Sequence, residues 1–144
     1  MTASPTSRSL DYCRRQGWPA GSTEKWVPFK GSKPGRPGNG LGGIRRDLFG
    51  FIDLVVLVLP QVGHYDDRPP PPSWQGLGFI LGVQACAGAS HAARADKVRA
   101  APVLASWYAC GGRVEVWSWT KAGPRGKRKR WTLRREAVQP AAVP

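Results

Sequence analysis

The chain has 144 residues, a length that fits one folded domain with a single modest core and argues against a second one. Lys and Arg number 22 against 9 Asp and Glu, which gives a formal net charge of +13. Such a charge is unusual for an enzyme of small neutral substrates and indicates a polyanionic partner, above all nucleic acid. A cationic surface that serves only solubility is the weaker alternative, because acidic residues serve solubility better.

Cysteine usage and the N-terminal sequence indicate the compartment. Cys13, Cys86 and Cys110 are widely spaced and odd in number, so they form neither a disulfide framework nor a CxxC metal motif. The N-terminus MTASPTSRSLDYCRRQGW has no apolar signal core, and the longest apolar stretch, at 54–59, is too short to cross a bilayer. We therefore predict a cytoplasmic protein with no membrane partner.

Apolar periodicity and turn residues predict eight elements, in the order helix, strand, strand, strand, helix, helix, strand, strand. In chain order they cover residues 7–16, 23–29, 50–59, 77–86, 90–99, 103–110, 113–120 and 131–138. We expect the first helix to begin at Thr6 or Ser7 and to end before Gly17. The stretch GFIDLVVLVL at 50–59 is nearly all apolar, which is typical of a central strand covered on both faces.

The connections between these elements have their own composition. The Gly- and Pro-rich stretch at 30–43 predicts a mobile basic loop, and 60–76 predicts a polyproline-like connection. Residues 137–144 are expected to form a frayed tail. The whole chain, 1–144, is thus predicted to be a single α/β domain, a mixed β-sheet flanked by helices.

Asp53 is the one charge inside the apolar strand predicted at 50–59. A buried carboxylate is costly unless a metal, a cation or hydrogen-bond donors compensate it. Asp53 is therefore the first candidate for a functional residue. An ion pair with Arg45 or Arg46 is the alternative explanation.

Three sequence features around Asp53 occur together: the stretch RRDLFGFIDLVVL, a strand that ends in QAC, and the helix SHAARADKV. They resemble the small PD-(D/E)XK nucleases related to archaeal Holliday junction resolvases and to phage-encoded resolvase-like proteins. In that family a glycine stands three residues before the metal-binding aspartate, as Gly50 stands before Asp53. The resemblance covers residues 7–131 and implies a restriction-endonuclease-like αβββαβ core, a DNA partner that is branched or single-stranded, and a homodimer.

The second strand of the family motif carries Glu or Asp, any residue, and then Lys. Two carboxylates and a backbone carbonyl hold Mg²⁺ there, while the lysine orients or helps to deprotonate the attacking water. By position this triplet is Gln84, Ala85 and Cys86. Gln84 can ligate through its amide oxygen but brings no charge, and Cys86 cannot replace an ammonium. The resemblance thus implies Mg²⁺ or Mn²⁺ held by Asp53 and Gln84, with the catalytic positions Gln84 and Cys86 altered.

Several of these residues also have simpler explanations. Glu24 lies near the first predicted strand, where acidic residues join the metal site in several branches of the family, but an exposed strand glutamate is equally reasonable. Asp47 either faces the metal from the start of a strand hairpin or ends that turn. Gln84 is alternatively a satisfied polar residue at a strand end, and Cys86 a small buried side chain.

The helix after the QAC strand carries basic residues at helical spacing. His91, Arg94 and Lys97 lie three residues apart, so one helix face can look back over the strand end that holds Gln84. Arg94 and Lys97 are candidates to hold the scissile phosphate or to replace the missing lysine. A solvated helix face is the alternative. Neither His91 nor His64 has partners at metal-binding spacing.

The candidate DNA-binding residues are basic side chains: Arg45, Arg46, Arg94, Lys127, Arg128, Lys129 and Arg130. The last four lie in a predicted turn, where each neutralised phosphate releases counterions and adds affinity without sequence preference. Trp117, Trp119 and Trp131 lie on or beside the adjacent strands. They can stack on unpaired bases, although tryptophans on a sheet more often belong to the core.

Two functions follow from these features. The first is a metal-dependent nuclease that hydrolyses phosphodiesters of branched or structured DNA, with Asp53 and Gln84 as metal ligands. The second is a nucleic-acid-binding protein that keeps this fold without cutting. The altered Gln84 and Cys86 favour binding alone, whereas the costly Asp53 favours cleavage. Charge and size also permit a ribosome-associated structural protein, which would not need a buried carboxylate.

Overall fold

The computed structural model describes residues 3–28, 43–59 and 78–141. This part of the chain is an α/β structure with a mixed five-stranded sheet and flanking helices, which confirms the predicted class. The helices are α1 (Pro5–Gln16), α2 (His91–Arg99) and α3 (Leu104–Ala109), and a 3-10 turn at Gly88–Ser90 precedes α2. The strands are β1 (Ala20–Ser22), β2 (Lys25–Pro28), β3 (Gly43–Arg46), β4 (Leu54–Val58), β5 (Phe79–Ala87), β6 (Arg113–Ala122) and β7 (Arg130–Ala137).

The main sheet has the strand order β1-β4-β5-β6-β7. β5 runs parallel to β6 and antiparallel to β4. At the two edges, β1 pairs antiparallel with β4 and β7 pairs antiparallel with β6. The helices α2 and α3 connect β5 to β6, because parallel neighbours need a crossover connection. β2 and β3 form a separate antiparallel pair.

Apolar side chains cover both faces of the central strands. On one face, Trp117 and Trp18 belong to a buried cluster that includes Cys13 of α1. On the other face, Ile52 and Leu104 belong to a second buried cluster that includes residues of α2. Coverage on both faces explains the nearly continuous apolar runs of β4 and β5.

The helix α1 begins earlier than the sequence predicted. The Ser4 hydroxyl accepts a hydrogen bond of 3.1 Å from the backbone N–H of Ser7, so Ser4 is the N-cap rather than Thr6 or Ser7. Pro5 follows in the first turn, where a proline has a suitable φ and lacks only an N–H that would be unpaired. The predicted end is confirmed, since Gly17 adopts a left-handed φ of 74°.

The strand predicted at 23–29 begins later, at Lys25, and its last residue lies outside the described residues. Residues 25–28 form β2, which pairs with β3 outside the main sheet. The main sheet instead gains β1, which pairs with β4 through the register Gly21 to Val55. The sequence gives no signal for β1, because Ala, Gly and Ser carry no apolar alternation.

The strand predicted at 50–59 begins later, at Leu54. The preceding residues turn the chain, with an isolated bridge between Leu48 and Ile52 and positive φ angles at Phe49 and Gly50. Asp53 therefore lies immediately before β4 rather than inside it. An apolar run by itself does not mark the point where such a turn becomes a strand.

The C-terminal tail is ordered further than predicted. Ala137 ends β7, and the next residue, Val138, is buried. Its N–H donates to the Val114 carbonyl at 3.0 Å, and its carbonyl accepts a 2.6 Å hydrogen bond from the Tyr108 hydroxyl. The burial of an apolar side chain thus extends the fold beyond the expected start of the tail.

Most of the loop predicted at 30–43 and all of 60–76 lie outside the described residues; Gly43 begins β3. Within the described residues, no helix combines the length and apolar character that a membrane crossing requires.

Candidate metal and nucleic-acid site

The register between β4 and β5 places Asp53 beside the altered triplet. Leu54 is the Cα partner of Val83, and the Asp53 N–H donates to the Val83 carbonyl at 2.9 Å. Oδ2 of Asp53 then accepts hydrogen bonds from Gln84 Nε2 at 2.5 Å and from the Ala85 N–H at 2.7 Å. The sheet therefore brings Asp53 and Gln84 into direct contact across 31 residues of sequence.

The Asp53 carboxyl is buried, with 4% of the residue exposed. Burial raises its pKa to about 7, and the Ala85 N–H opposes the rise. The neighbouring carboxyls of Asp47 and Glu24 contribute to this rise. Burial and like charges both disfavour the ionised form of Asp53. A bound cation would offset these two effects and favour the ionised carboxylate.

Three carboxylates meet at this point. One oxygen from each of Glu24, Asp47 and Asp53 lies within 4.8 Å of the other two. Glu24 comes from the segment between β1 and β2, which is fixed to the main sheet because the Thr23 N–H donates to the Asp53 carbonyl at 2.8 Å. Asp47 follows β3 directly. Hard divalent cations are bound by carboxylate oxygens in this kind of arrangement.

The amide oxygen of Gln84 adds a second and independent indication of a cation. Gln84 is 2% exposed, and its Oε1 has no hydrogen-bond partner among the described residues. A buried polar oxygen without a partner is costly and rare. A cation held by the neighbouring carboxylates would supply one, so the residues present fit a divalent metal ion.

Cys86 has no positive charge to offer at the family's lysine position, but α2 brings two basic side chains, Arg94 and Lys97, to the same region. The Cys86 thiol is buried, and burial raises its pKa, while Arg94 lowers that pKa and Asp53 raises it through their charges. Arg94 therefore lies within electrostatic reach of this strand end. Lys97, one turn further, places Nζ 3.9 Å from Oδ2 of Asp47.

Arg45, one of the two arginines in the alternative explanation of Asp53, has another partner. Arg45 forms a 3.5 Å ion pair with Glu24, so it belongs to the rim of the carboxylate cluster. An open depression of about 470 Å³ adjoins this rim. It is lined by Arg45, Arg46, Asp47, Phe49, Gly50 and Lys97. Cations beside carboxylates that can hold a metal are a suitable setting for a phosphate group.

The basic turn forms the tip of the β6–β7 hairpin. Lys127, Arg128, Lys129 and Arg130 are all exposed. The pairing of β6 with β5 ends at Trp119, so the ladder pair Lys121 and Trp131 belongs to the hairpin alone among the described strands. The tip therefore extends past the end of β5.

Of the three tryptophans considered for stacking, two belong to the core. Trp117 and Trp119 are buried, and Trp119 Nε1 donates to the Ser9 hydroxyl at 2.9 Å. Trp131 is 40% exposed, but the Arg8 guanidinium lies 3.7 Å from its ring centroid. One face of Trp131 is thus already occupied by a cation.

His91 lies in a buried network that the sequence does not reveal. Its Nδ1 is 2.7 Å from the Ser118 hydroxyl, and its Nε2 is 2.8 Å from Glu136 Oε2. Glu136 also pairs with Arg99 at 2.6 Å, and the hydrogen bond with His91 lowers the pKa of Glu136. This network ties α2 to β6 and β7, so His91 helps to position the helix that carries Lys97.

Comparison of the chain with protein-family models, curated proteins and solved structures gives no match. The function is therefore inferred from the geometry of the site. Asp53, Gln84, Glu24 and Asp47 were candidates from the sequence alone, whereas Phe49 was not. The only local signal for Phe49 is its place in the short turn RDLFG.

Proposed function

We propose that this chain is a metal-dependent DNA nuclease that hydrolyses phosphodiesters in branched or otherwise structured DNA. The observation that carries the proposal is the cluster of Glu24, Asp47 and Asp53 beside Gln84, which contacts Asp53 through Nε2 and has a buried Oε1 without a partner among the described residues. Two of these carboxylates compensate for the charge that Gln84 lacks. A site of this composition fits Mg²⁺ or Mn²⁺.

The order of the elements supports a PD-(D/E)XK type of core. Setting aside the β2–β3 pair, the short helix α3 and the C-terminal strand β7, the chain runs α1, β1, β4, β5, α2 and β6. The first three of these strands pair antiparallel and the fourth is parallel to the third. This is an αβββαβ order in a mixed sheet, with Asp53 immediately before the second strand of that core and Gln84 on the third.

The bound metal would polarise a phosphoryl oxygen and lower the pKa of a bound water. Asp53 would hold the metal from a position fixed by the Ala85 N–H, and Gln84 would present its amide oxygen. Lys97 would hold the scissile phosphate and neutralise charge that develops on it. Lys97 thus takes the part of the lysine that Cys86 cannot supply, from a neighbouring helix.

A binding-only function has one specific observation in its favour. Cys86 is buried among apolar side chains, so no ammonium stands at that strand position. Under this alternative the carboxylate cluster binds a structural cation and the basic surfaces bind nucleic acid. The four-cation hairpin tip serves both functions equally.

The test combines Asp53→Asn with divalent metal and three substrates: supercoiled, single-stranded and four-way-junction DNA. We expect the parent to cut with Mg²⁺ or Mn²⁺ and Asp53→Asn to lose all cleavage while it keeps salt-sensitive DNA binding. Asp11→Asn is the matched control, since Asp11 is exposed on α1. Cleavage by Asp53→Asn at the parent rate would refute the nuclease proposal for this site.

A parent that binds DNA without cutting any of the three substrates requires a second variant. In that case Gln84→Glu combined with Cys86→Lys restores the family triplet. If this double variant is also inactive while DNA binding persists, the binding-only function replaces the nuclease.

A further inference from the structure

Phe49 combines two features that seldom occur together. Its side chain is 54% exposed, and its backbone φ is +54°. It lies in a turn closed by a 3.1 Å hydrogen bond from the Gly50 N–H to the Asp47 carbonyl. The left-handed region suits glycine or asparagine, whereas a bulky side chain there is strained. An exposed phenylalanine therefore neither relieves this backbone nor adds to the core.

The location of Phe49 connects it to the carboxylate cluster. The same turn begins at Asp47, which contributes an oxygen to the cluster. Phe49 also lines the depression with Arg45, Arg46 and Lys97. The ring of Trp107 lies edge-on to the Phe49 ring, with centroids 6.2 Å apart and planes at 70°. Trp107 thereby restrains the orientation of the ring.

We propose that Phe49 is a stacking platform for an unpaired base next to the phosphate held at the carboxylate cluster. The substrate class is then DNA with an unpaired or extruded nucleotide at the cleavage point, not continuous duplex. This inference rests on the proposed function. Exposed aromatic rings combined with backbone-binding cations are the usual means of binding unpaired nucleotides, because every base offers a π-face.

A simpler role for Phe49 is an apolar contact with Trp107. Leucine would keep an apolar contact with Trp107, but it has no ring face to offer a base. Tryptophan, by contrast, would preserve stacking. The pair Phe49→Leu and Phe49→Trp therefore separates the two roles, and Phe49→Ala removes both.

The experiment measures binding of the full chain to three linear DNAs in the presence of Ca²⁺, with the integrity of each DNA checked afterwards. The first is a continuous duplex, the second carries one unpaired adenine, and the third carries an abasic nucleotide at the same point. The abasic DNA keeps the backbone shape but has no base. Thermal denaturation verifies that each variant is folded.

We expect the parent to prefer the unpaired adenine over the abasic DNA by roughly 5- to 150-fold, the factor that corresponds to about 1–3 kcal/mol per stacked base. Phe49→Ala and Phe49→Leu should lose this preference with little change in duplex affinity, and Phe49→Trp should retain it. If the parent bound the unpaired-adenine DNA and the abasic DNA equally, the inference would be overturned. A preference for the adenine that survives in Phe49→Leu would overturn it as well. Failure of the parent to bind any of the three DNAs would overturn the proposed function as well.

Discussion

The side-chain amide of Gln84 donates a 2.5 Å hydrogen bond to Oδ2 of Asp53, and both side chains are buried. The amide nitrogen thus faces a carboxylate while the amide oxygen has no partner among the described residues. A cation bound by the carboxylates could take Oε1 as a further ligand. The neutral Gln84 side chain limits the cluster to three carboxylates, of which Asp53 is the buried one.

Replacement of Gln84 by Glu should tighten binding of Mn²⁺ or Mg²⁺ by roughly tenfold or more, because the charge of the ligand set governs affinity. The same variant should melt at a lower temperature without metal, since it adds repulsion to a buried cluster. Isothermal titration and thermal denaturation measure the two effects. Gln139→Glu, an exposed position, is the matched control. Unchanged metal affinity in Gln84→Glu would remove Gln84 from the cation site.

Lys97→Met should reduce cleavage by about 100-fold or more if Lys97 stabilises charge on the phosphate. It should also tighten metal binding slightly, because the Lys97 ammonium lies 3.9 Å from Asp47 and repels a cation there. Lys97→Arg keeps the charge and should recover most of the activity. Single-turnover rates at saturating metal test the first effect. Full activity in Lys97→Met would assign the phosphate to another cation.

Removal of the four cations at the hairpin tip should weaken DNA binding mainly at low salt. Alanine at Lys127, Arg128, Lys129 and Arg130 together should flatten the slope of log affinity against log salt by up to about 0.9 per contacted phosphate. The double variant Arg14→Ala, Arg15→Ala on α1 controls for a general loss of net charge. A slope equal to that of the parent would place the hairpin tip outside the interface.

The raised pKa of Asp53 predicts how stability depends on pH without metal. A folded-state pKa of about 7, above the ordinary value of 3.8, means that the folded protein holds the proton more tightly. This contribution is complete below about pH 4 and is lost as the pH rises through 7. Asp53→Asn should therefore lose much less stability than the parent between pH 5 and 8.

Divalent metal should reverse the same trend. Metal binds the ionised cluster, so its stabilising effect should grow from pH 5 to pH 8 in the parent and be small in Asp53→Asn. Melting temperatures with Mn²⁺ and with a chelator measure the difference. The lowered pKa of Glu136 acts in the opposite direction, but only below its ordinary value of 4.5, which is outside this window. A parent whose response to metal does not vary with pH would contradict the assignment.

Much of the sheet could be predicted because its signal is local. The apolar runs and the alternation of β6 indicated the central strands, and the glycines after α1 and α3 marked the helix ends. The edge strand β1 could not be predicted, since AGS is held by its pairing to β4 rather than by its composition. Backbone pairing of this kind depends on a partner more than 30 residues away.

The candidate site could be predicted only in part. Asp53 was recognisable because a charge stood in an apolar run, and Gln84 by its position in a family motif. The approach of Glu24 and Asp47 depends on two turns, neither of which the sequence specifies. The positive φ of Phe49 could not be predicted either, because left-handed backbone is rare for phenylalanine and no sequence pattern indicates it.

The β6–β7 hairpin has a consequence for how this protein can vary. β7 is anchored at the end far from the tip. There Arg135 pairs with the buried Glu115 at 2.9 Å, and the Tyr108 hydroxyl donates a hydrogen bond to the Val138 carbonyl. The exposed tip contributes nothing to either contact. We expect insertions, deletions or charge changes there to leave the body of the protein and the carboxylate cluster in place. Under the proposed function, affinity for nucleic acid could therefore change at the tip without any change at the carboxylate cluster.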